Sequence, residues 1–262
     1  MRFDELNRQM RRFETAHDRR VPPEIYVIAR LDGRGFTRLT KETHKFEAPF
    51  DKRFRDYMVE TVAHLMNCGF RITYGYTQSD EISLLFHRDE ESYGRNTRKY
   101  VSVIAGEASA KFSLLLGAIA VFDCRVAELP TVDAVVDYFR WRSEDANRNT
   151  LNAHCYWALR DQGLSAQEAA RQLVCMSAAR MYALLMHAKN LKFGDLPSWQ
   201  RRGIGLYWED HGKRSENPKT GQDVIAIRRR INRDFELPSK DTYDSFIRNL
   251  VHNTEVIAIN SS

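Results

Sequence analysis

Residues 25–36 read Ile25-Tyr26-Val27-Ile28-Ala29-Arg30-Leu31-Asp32-Gly33-Arg34-Gly35-Phe36, an apolar run that ends abruptly in a charged, glycine-punctuated segment. The run is rich in β-formers and predicts a buried strand; the Asp-Gly pair after it is common turn chemistry. Downstream of Pro49, Phe50, Phe54, Tyr57, Met58, Val62 and Leu65 keep the spacing of one helix face, and Gly69 stops the pattern. Residues 70–76 and 82–86 then predict two strands joined by Thr77-Gln78-Ser79-Asp80-Glu81, a hairpin with acids at its tip. Residues 97–116 predict a helix and 118–126 a further strand. The order β-α-β-β-α-β is that of an α+β fold, a split βαβ antiparallel sheet with two helices on one face. In that topology the first and third strands are central neighbours, so Asp32 and the pair Asp80-Glu81 converge at one edge of the sheet.

The remainder reads differently. Residues 2–19 predict an amphipathic helix carrying Phe3, Leu6, Met10 and Phe13. Beyond Pro130 the chain turns mostly helical, over 131–162, 165–174 and 176–188, with a small late hairpin of 203–209 and 223–230 around the polar loop 211–222. A boundary near 130 divides a catalytic palm-like unit, 1–130, from a helical C-terminal part, 131–262, packed on it.

The chain has 262 residues, 43% hydrophobic and 29% charged, with a formal net charge of +5. That composition excludes disordered and fibrous classes. No apolar run is long enough to span a bilayer. The first residues lack the apolar core of a signal peptide, and a cytoplasmic location is expected. Cys68, Cys124, Cys155 and Cys175 are far apart without a CxxC pair, and largely buried reduced thiols are expected. Basic residues cluster at Arg8, Arg11, Arg12, Arg19 and Arg20, at Arg95, Arg98 and Lys99, at Arg201 and Arg202, and at Arg228–Arg230 with Arg233. Such groups can neutralise a phosphate backbone, although any single cluster is more often a solvated face. Trp141, Tyr156 and Trp157 read as core rather than as stacking platforms, and His154 and His187 as ordinary lone histidines.

The converging acids carry the chemistry. Nucleotidyl transfer must neutralise triphosphate charge and lower the pKa of an attacking hydroxyl. Two Mg²⁺ ions roughly 3.5–4 Å apart do both, and Mg²⁺ takes oxygen ligands, one or two carboxylates with water and phosphate. Asp32 and Asp80 suffice as bridging side chains. Gly33 and Gly35 allow close backbone approach, and amides there, with Arg34 and Phe36, could cradle a triphosphate. Lys45 is a second phosphate cation. Each feature alone is more often a plain turn; their combination singles them out.

The segments Arg30–Phe36, Lys45-Phe46-Glu47-Ala48-Pro49-Phe50-Asp51 and Gln78–Ser83 resemble, in sequence and order, the catalytic segments of the tRNA-His guanylyltransferase family. The resemblance continues through Trp141-Arg142, Asn149–Leu151, Cys155–Trp157, Lys189-Asn190 and Arg201–Gly203. It implies a polymerase-like palm running 3′-to-5′. It further implies two Mg²⁺ held by Asp32, the Gly33 carbonyl and Asp80, with Glu81 in support. Gly33, Arg34, Gly35, Phe36, Ser79 and Lys45 would bind the nucleotide, and Arg30, Lys189 and Asn149 phosphates during activation. ATP and GTP are the implied substrates, tRNA the partner, and a homo-oligomer, a tetramer in the family, the assembly. Eukaryotic guanylyltransferases carry His-Ile-Asn-Asn-Leu-Tyr-Asn where this chain reads Asn147-Arg148-Asn149-Thr150-Leu151-Asn152-Ala153. That departure resembles the bacterial and archaeal guanylyltransferase-like proteins and favours template-dependent repair of tRNA 5′ ends over selection of tRNA-His. A diguanylate-cyclase type palm is a rival, but Gln78–Ile82 lacks the Gly-Gly-Asp/Glu-Glu-Phe hairpin. An RNA-binding module without turnover is another, against which stand Asp32, Asp80 and Glu81.

Overall fold

A computed structural model describes residues 2–216 and 223–259. The elements are α1 (Phe3–Thr15), β1 (Tyr26–Gly33), α2 (Phe36–Arg38) running into a π-helical turn over Leu39–Thr43, α3 (Lys52–Leu65), β2 (Ile72–Gln78), β3 (Glu81–Phe86), α4 (Thr97–Leu116) and β4 (Phe122–Leu129). The second half adds α5 (Val132–Asp161), α6 (Ala166–Val174), α7 (Ala178–Lys189), α8 (Ser198–Arg202), β5 (Ile204–Glu216), β6 (Asp223–Asp234) and α9 (Asp241–Ile259). Local chemistry sets the main helix ends. The Asp51 carboxylate accepts from the amides of Arg53 and Phe54 to open α3, Asn96 caps α4, and Gly117 closes it in the left-handed region.

Among the described residues, six strands form one antiparallel sheet in the order β4-β1-β3-β2-β5-β6. β1 and β3 are neighbours at the centre of its four palm strands, β4-β1-β3-β2, as the split topology requires. Strand alternation sorts side chains onto two faces. Val27, Ala29, Leu31, Ile82 and Leu84 pack with Met58 and Val62 of α3 and Ile104, Ala108 and Phe112 of α4. Tyr26, Ile28, Tyr74, Tyr76 and Leu85 meet Val135, Val136 and Phe139 of α5 and Tyr243 and Ile247 of α9. The second face is therefore covered by the C-terminal half. The far part of α5 carries a satellite core, Leu151, Cys155, Ala158 and Leu159 against Ala169, Leu173 and Leu185.

Several boundaries differ from the sequence reading. The late hairpin is not small, and it extends the sheet by pairing β5 with β2, Tyr74 opposite Tyr207. The expected loop 211–222 is strand as far as Glu216, and 217–222 lie outside the described residues. The acidic hairpin has a two-residue turn, because Gln78 and Glu81 already pair. Phe3, Leu6, Met10 and Phe13 do line one face of α1, but that face is exposed. Trp141 is not core: it is 51% exposed on the flank of α5, and Tyr156 and Trp157 are half-buried. Of the cysteines Cys155 alone is buried, and Cys175 is exposed.

Candidate active site

The acids meet where the topology sends them. Asp32 ends β1 directly opposite Glu81 of β3 on one side and Asp123 of β4 on the other. Gly33 N–H donates to the Asp80 carbonyl at 3.1 Å, tying the end of β1 to the hairpin turn. Ser79 holds the turn in the left-handed region (φ 53°), and its hydroxyl donates to Asp80 Oδ1 at 3.0 Å. Asp80 is half-buried. Burial, then the charges of Asp32 and Glu81, push its carboxyl up to about 6. Among the described residues no cation pairs with Asp32 or Asp80. Glu81 is the opposite case, held by Arg30 and, at 2.8 Å, by Arg142.

The glycine segment has structural reasons of its own. A Cβ on Gly33 would lie 2.5 Å from the Phe36 ring, and Gly35 is left-handed (φ 72°) at the start of α2. Phe36 is buried against Phe54, Phe112 and Phe122. The Gly33 amide is spent on Asp80, and the Arg34 amide donates to Val121 O at 2.8 Å. Neither of these two N–H groups is free for a phosphate, whereas Gly35 and the Arg34 side chain are exposed.

Beside the acids lies a cavity of about 250 Å³, lined among others by Ser79, Asp80, Lys41, Arg55, Trp157 and Trp199. Lys41 stands over Tyr156 and Trp157 at 5.2 and 5.7 Å, and Arg55 over Trp199 at 4.9 Å. Asp51 also lines it, and there it ties the loop together by accepting the Glu47 amide at 2.8 Å. Burial opposes the charge on Asp51, but bonds from Arg53 and the Glu47, Arg53 and Phe54 amides hold its carboxyl below the ordinary range. A second opening of about 230 Å³ is shared by Asp80, Glu81 and Asn149. Aromatic walls, two cations and an acidic mouth form a pocket suited to a nucleotide.

Residues 7–133 match the family model described as tRNAHis guanylyltransferase, and residues 133–246 match the Thg1 C terminal domain. The chain belongs to the tRNA(His) guanylyltransferase family. By that membership it is a nucleotidyltransferase. A Bos taurus relative named probable tRNA(His) guanylyltransferase is 30% identical over 197 residues, covering 71% of this chain and 66% of that one. The chain thus spans about two thirds of the length of that relative. Two solved structures of a bacterial tRNA(HIS) guanylyltransferase (Thg1)-like protein, in complex with ATP and with GTP, superpose with TM-scores of 0.74 and 0.71 at 29% and 28% identity. They cover 94% and 95% of this chain, which covers 99% of each.

The guanylyltransferase motifs do not all gather at one point. Asp32, Ser79, Asp80, Glu81, Arg30 and Asn149 share one end of the sheet. Lys45 is exposed on the loop before Asp51, outside the cavity lining. Lys189 ends α7 and pairs with Asp161. Arg142 touches Glu81, and Asp161 stands about 28 Å further along α5 at the helical rise per residue. Lys41, Arg55, Trp157 and Trp199 escaped the sequence reading because the cavity is assembled from the π-helical turn, α3, α5 and α8. Only the aromatic density hinted at them.

Proposed function

We propose that the protein adds nucleotides to tRNA 5′ ends in the 3′-to-5′ direction, repairing truncated ends against the opposing strand. The observation that carries the reading is the uncompensated pair Asp32 and Asp80, of which Asp80 lines an aromatic, cation-bearing cavity. Among the described residues no cluster of three or more His, Cys, Asp or Glu side chains could hold a metal. A Mg²⁺ site of this type needs only one or two carboxylates, with substrate phosphate and water completing it. Asp32 and Asp80 fit as hard oxygen donors whose charge nothing else balances, and the Gly33 carbonyl would join them. When bound, Mg²⁺ neutralises triphosphate charge and lowers the pKa of the attacking hydroxyl.

The chain's own residues do the rest. Lys41 and Arg55 would hold phosphates, and Trp157 and Trp199 would flank the base. Glu81, neutralised by two arginines, would brace the turn. In the first step the tRNA 5′-phosphate attacks the α-phosphate of ATP and pyrophosphate leaves. In the second the 3′-hydroxyl of GTP attacks the adenylylated end and AMP leaves. Lys189 of α7, paired with Asp161 at the far end of α5, stands apart from those phosphates, so its role is assigned to RNA away from the reacting end. Template-directed repair is favoured over guanylylation of tRNA(His) by the run Asn147–Ala153, whose Asn149 faces the smaller opening. The test is extension with ATP, labelled GTP and Mg²⁺ on a tRNA lacking its first 5′ nucleotide opposite a C, beside full-length tRNA(His). Preferential labelling of the truncated tRNA is expected. Preference for full-length tRNA(His) would return the guanylyl-addition role, and label in neither would leave an RNA-binding module.

A further inference from the structure

Two arginines from opposite halves of the chain close on one carboxylate. Arg30 of β1 takes Glu81 Oε1, and Arg142 of α5 donates from Nη1 to Oε2 at 2.8 Å. The other arm of Arg142 donates from Nη2 to Asp145 Oδ2 at 3.1 Å, and Asn149 Nδ2 reaches that same oxygen at 3.3 Å. Its guanidinium lies 3.7 Å from the Trp141 ring centroid, and its side chain is 4% exposed. The Tyr76 hydroxyl donates to the Arg202 carbonyl at 2.9 Å and lies 3.4 Å from the Arg142 carbonyl. One residue of α5 therefore holds the first residue of β3, Glu81, which directly follows Asp80 in the turn. Arg30, Arg142, Glu81 and Asp145 sum to zero charge, so Glu81 is not spare for a cation. The Nε atoms of Arg30 and Arg142 are buried without a partner, a cost that recurs where geometry serves function.

We propose that Arg142 is a positioning residue for nucleotidyl transfer, acting through Glu81 to fix the turn that carries Asp80. The proposal rests on the function above. Its two-armed contact needs the planar fork of arginine, which a lysine cannot reproduce. A plain stabilising role would be served by charge alone and would lower the melting temperature without lowering kcat of the folded protein.

The experiment compares Arg142→Lys, Arg142→Gln, Glu81→Gln and the double variant Glu81→Gln/Arg142→Gln in the extension reaction, with thermal melts alongside. Arg142→Gln should lower kcat about 30-fold, the scale of an outer partner of a metal-binding group, with KM for GTP within about threefold. Arg142→Lys should recover little of it. On the Glu81→Gln background the same change should cost less than about threefold, because residues acting as a unit do not add. Independent losses that multiply, or full activity in a folded Arg142→Gln protein, would overturn the proposal. If Arg142→Gln does not fold, the Arg142→Lys variant decides: wild-type kcat overturns the proposal, and a large kcat loss at unchanged KM supports it. If the wild type extends no tRNA, the function fails separately. The clamp is then judged by the melting shift that Mg²⁺ with GTP produces. Equal loss of that shift in Arg142→Gln and Glu81→Gln supports the clamp, and an unchanged shift sinks it.

Discussion

The acidic end of the sheet and the basic clusters elsewhere in the fold are built on opposite electrostatic terms. Asp32 and Asp80 converge with no cation paired to them among the described residues, and Asp80 is pushed up to about 6 by burial and like charge. Several arginines of the basic clusters are satisfied within the fold. Arg95, 7% exposed, donates to the carbonyls of Val21, Ile25, Arg88 and Glu90. Arg98 pairs with Asp18, Arg19 with Glu128, Arg230 with Glu209 and Arg233 with Glu60. Charge left unbalanced marks the site, and balanced charge marks the fold.

The comparison breaks first at Asp80. Asp80→Ala removes a ligand that the reaction needs and a charge that the fold does not. Its rate of extension should fall on the order of 10³-fold or more, with the melting temperature unchanged or raised. A kinetic assay beside a thermal melt checks both, and retained turnover would place the chemistry elsewhere. Arg95→Ala is the mirror experiment. It removes the donor to four carbonyls, two of them in buried contacts, so a loss of about 3 kcal/mol is expected, or roughly 6–12 °C in melting temperature. The activity of the protein that remains folded should stay near wild type.

The central strands were legible because their residues report their own environment. Tyr26–Ala29 is apolar on both faces, and both faces are covered. The meeting of Asp32 with Glu81 followed from topology, since a split βαβ order makes β1 and β3 neighbours. What stayed hidden depends on distant partners. Nothing local in Arg142 tells that it reaches Glu81, 61 residues earlier. Nothing in Trp141 distinguishes a core indole from one stacked under a guanidinium at the surface. The late hairpin was visible as two strands, but pairing with β2 is decided by Tyr74 and Tyr207 packing on the same face. Gly33 suggested a ligand's approach, and its nearest neighbour is the ring of Phe36.

A subtler contrast separates catalytic need from stability at Asp80 itself. Its folded carboxyl takes a proton near 6, against an ordinary value of 3.8. Between those values the folded state binds more protons than the unfolded one, so stability falls as pH rises through that window and stays lower above it. Without metal at pH 7.5, Asp80→Asn should therefore be more stable than wild type by about 1–2 kcal/mol, or roughly 3–6 °C. Melts in EDTA from pH 4 to 7.5 check this, and the wild-type slope over pH 4–6 should be reduced in the variant. Equal melting at pH 7.5 would mean that Asp80 is better solvated than its surroundings suggest.

The smallest effect is expected at Arg230, and it tests the other side of the comparison. Its guanidinium sits 2.6 Å from Glu209 with 59% of the side chain exposed. Exposed pairs of this kind lose most of their attraction to solvent screening, so Arg230→Ala should change stability by about 0.5 kcal/mol or less. Because Glu209 already balances its charge, tRNA affinity should stay within about twofold. A filter-binding series at several salt concentrations is the measurement. A residue that contacts phosphate would weaken binding to all RNAs alike and flatten the salt slope by about one counterion. That outcome would show Glu209 giving up its partner when RNA arrives, and balanced charge in the free protein would no longer separate fold from site on this edge of the sheet.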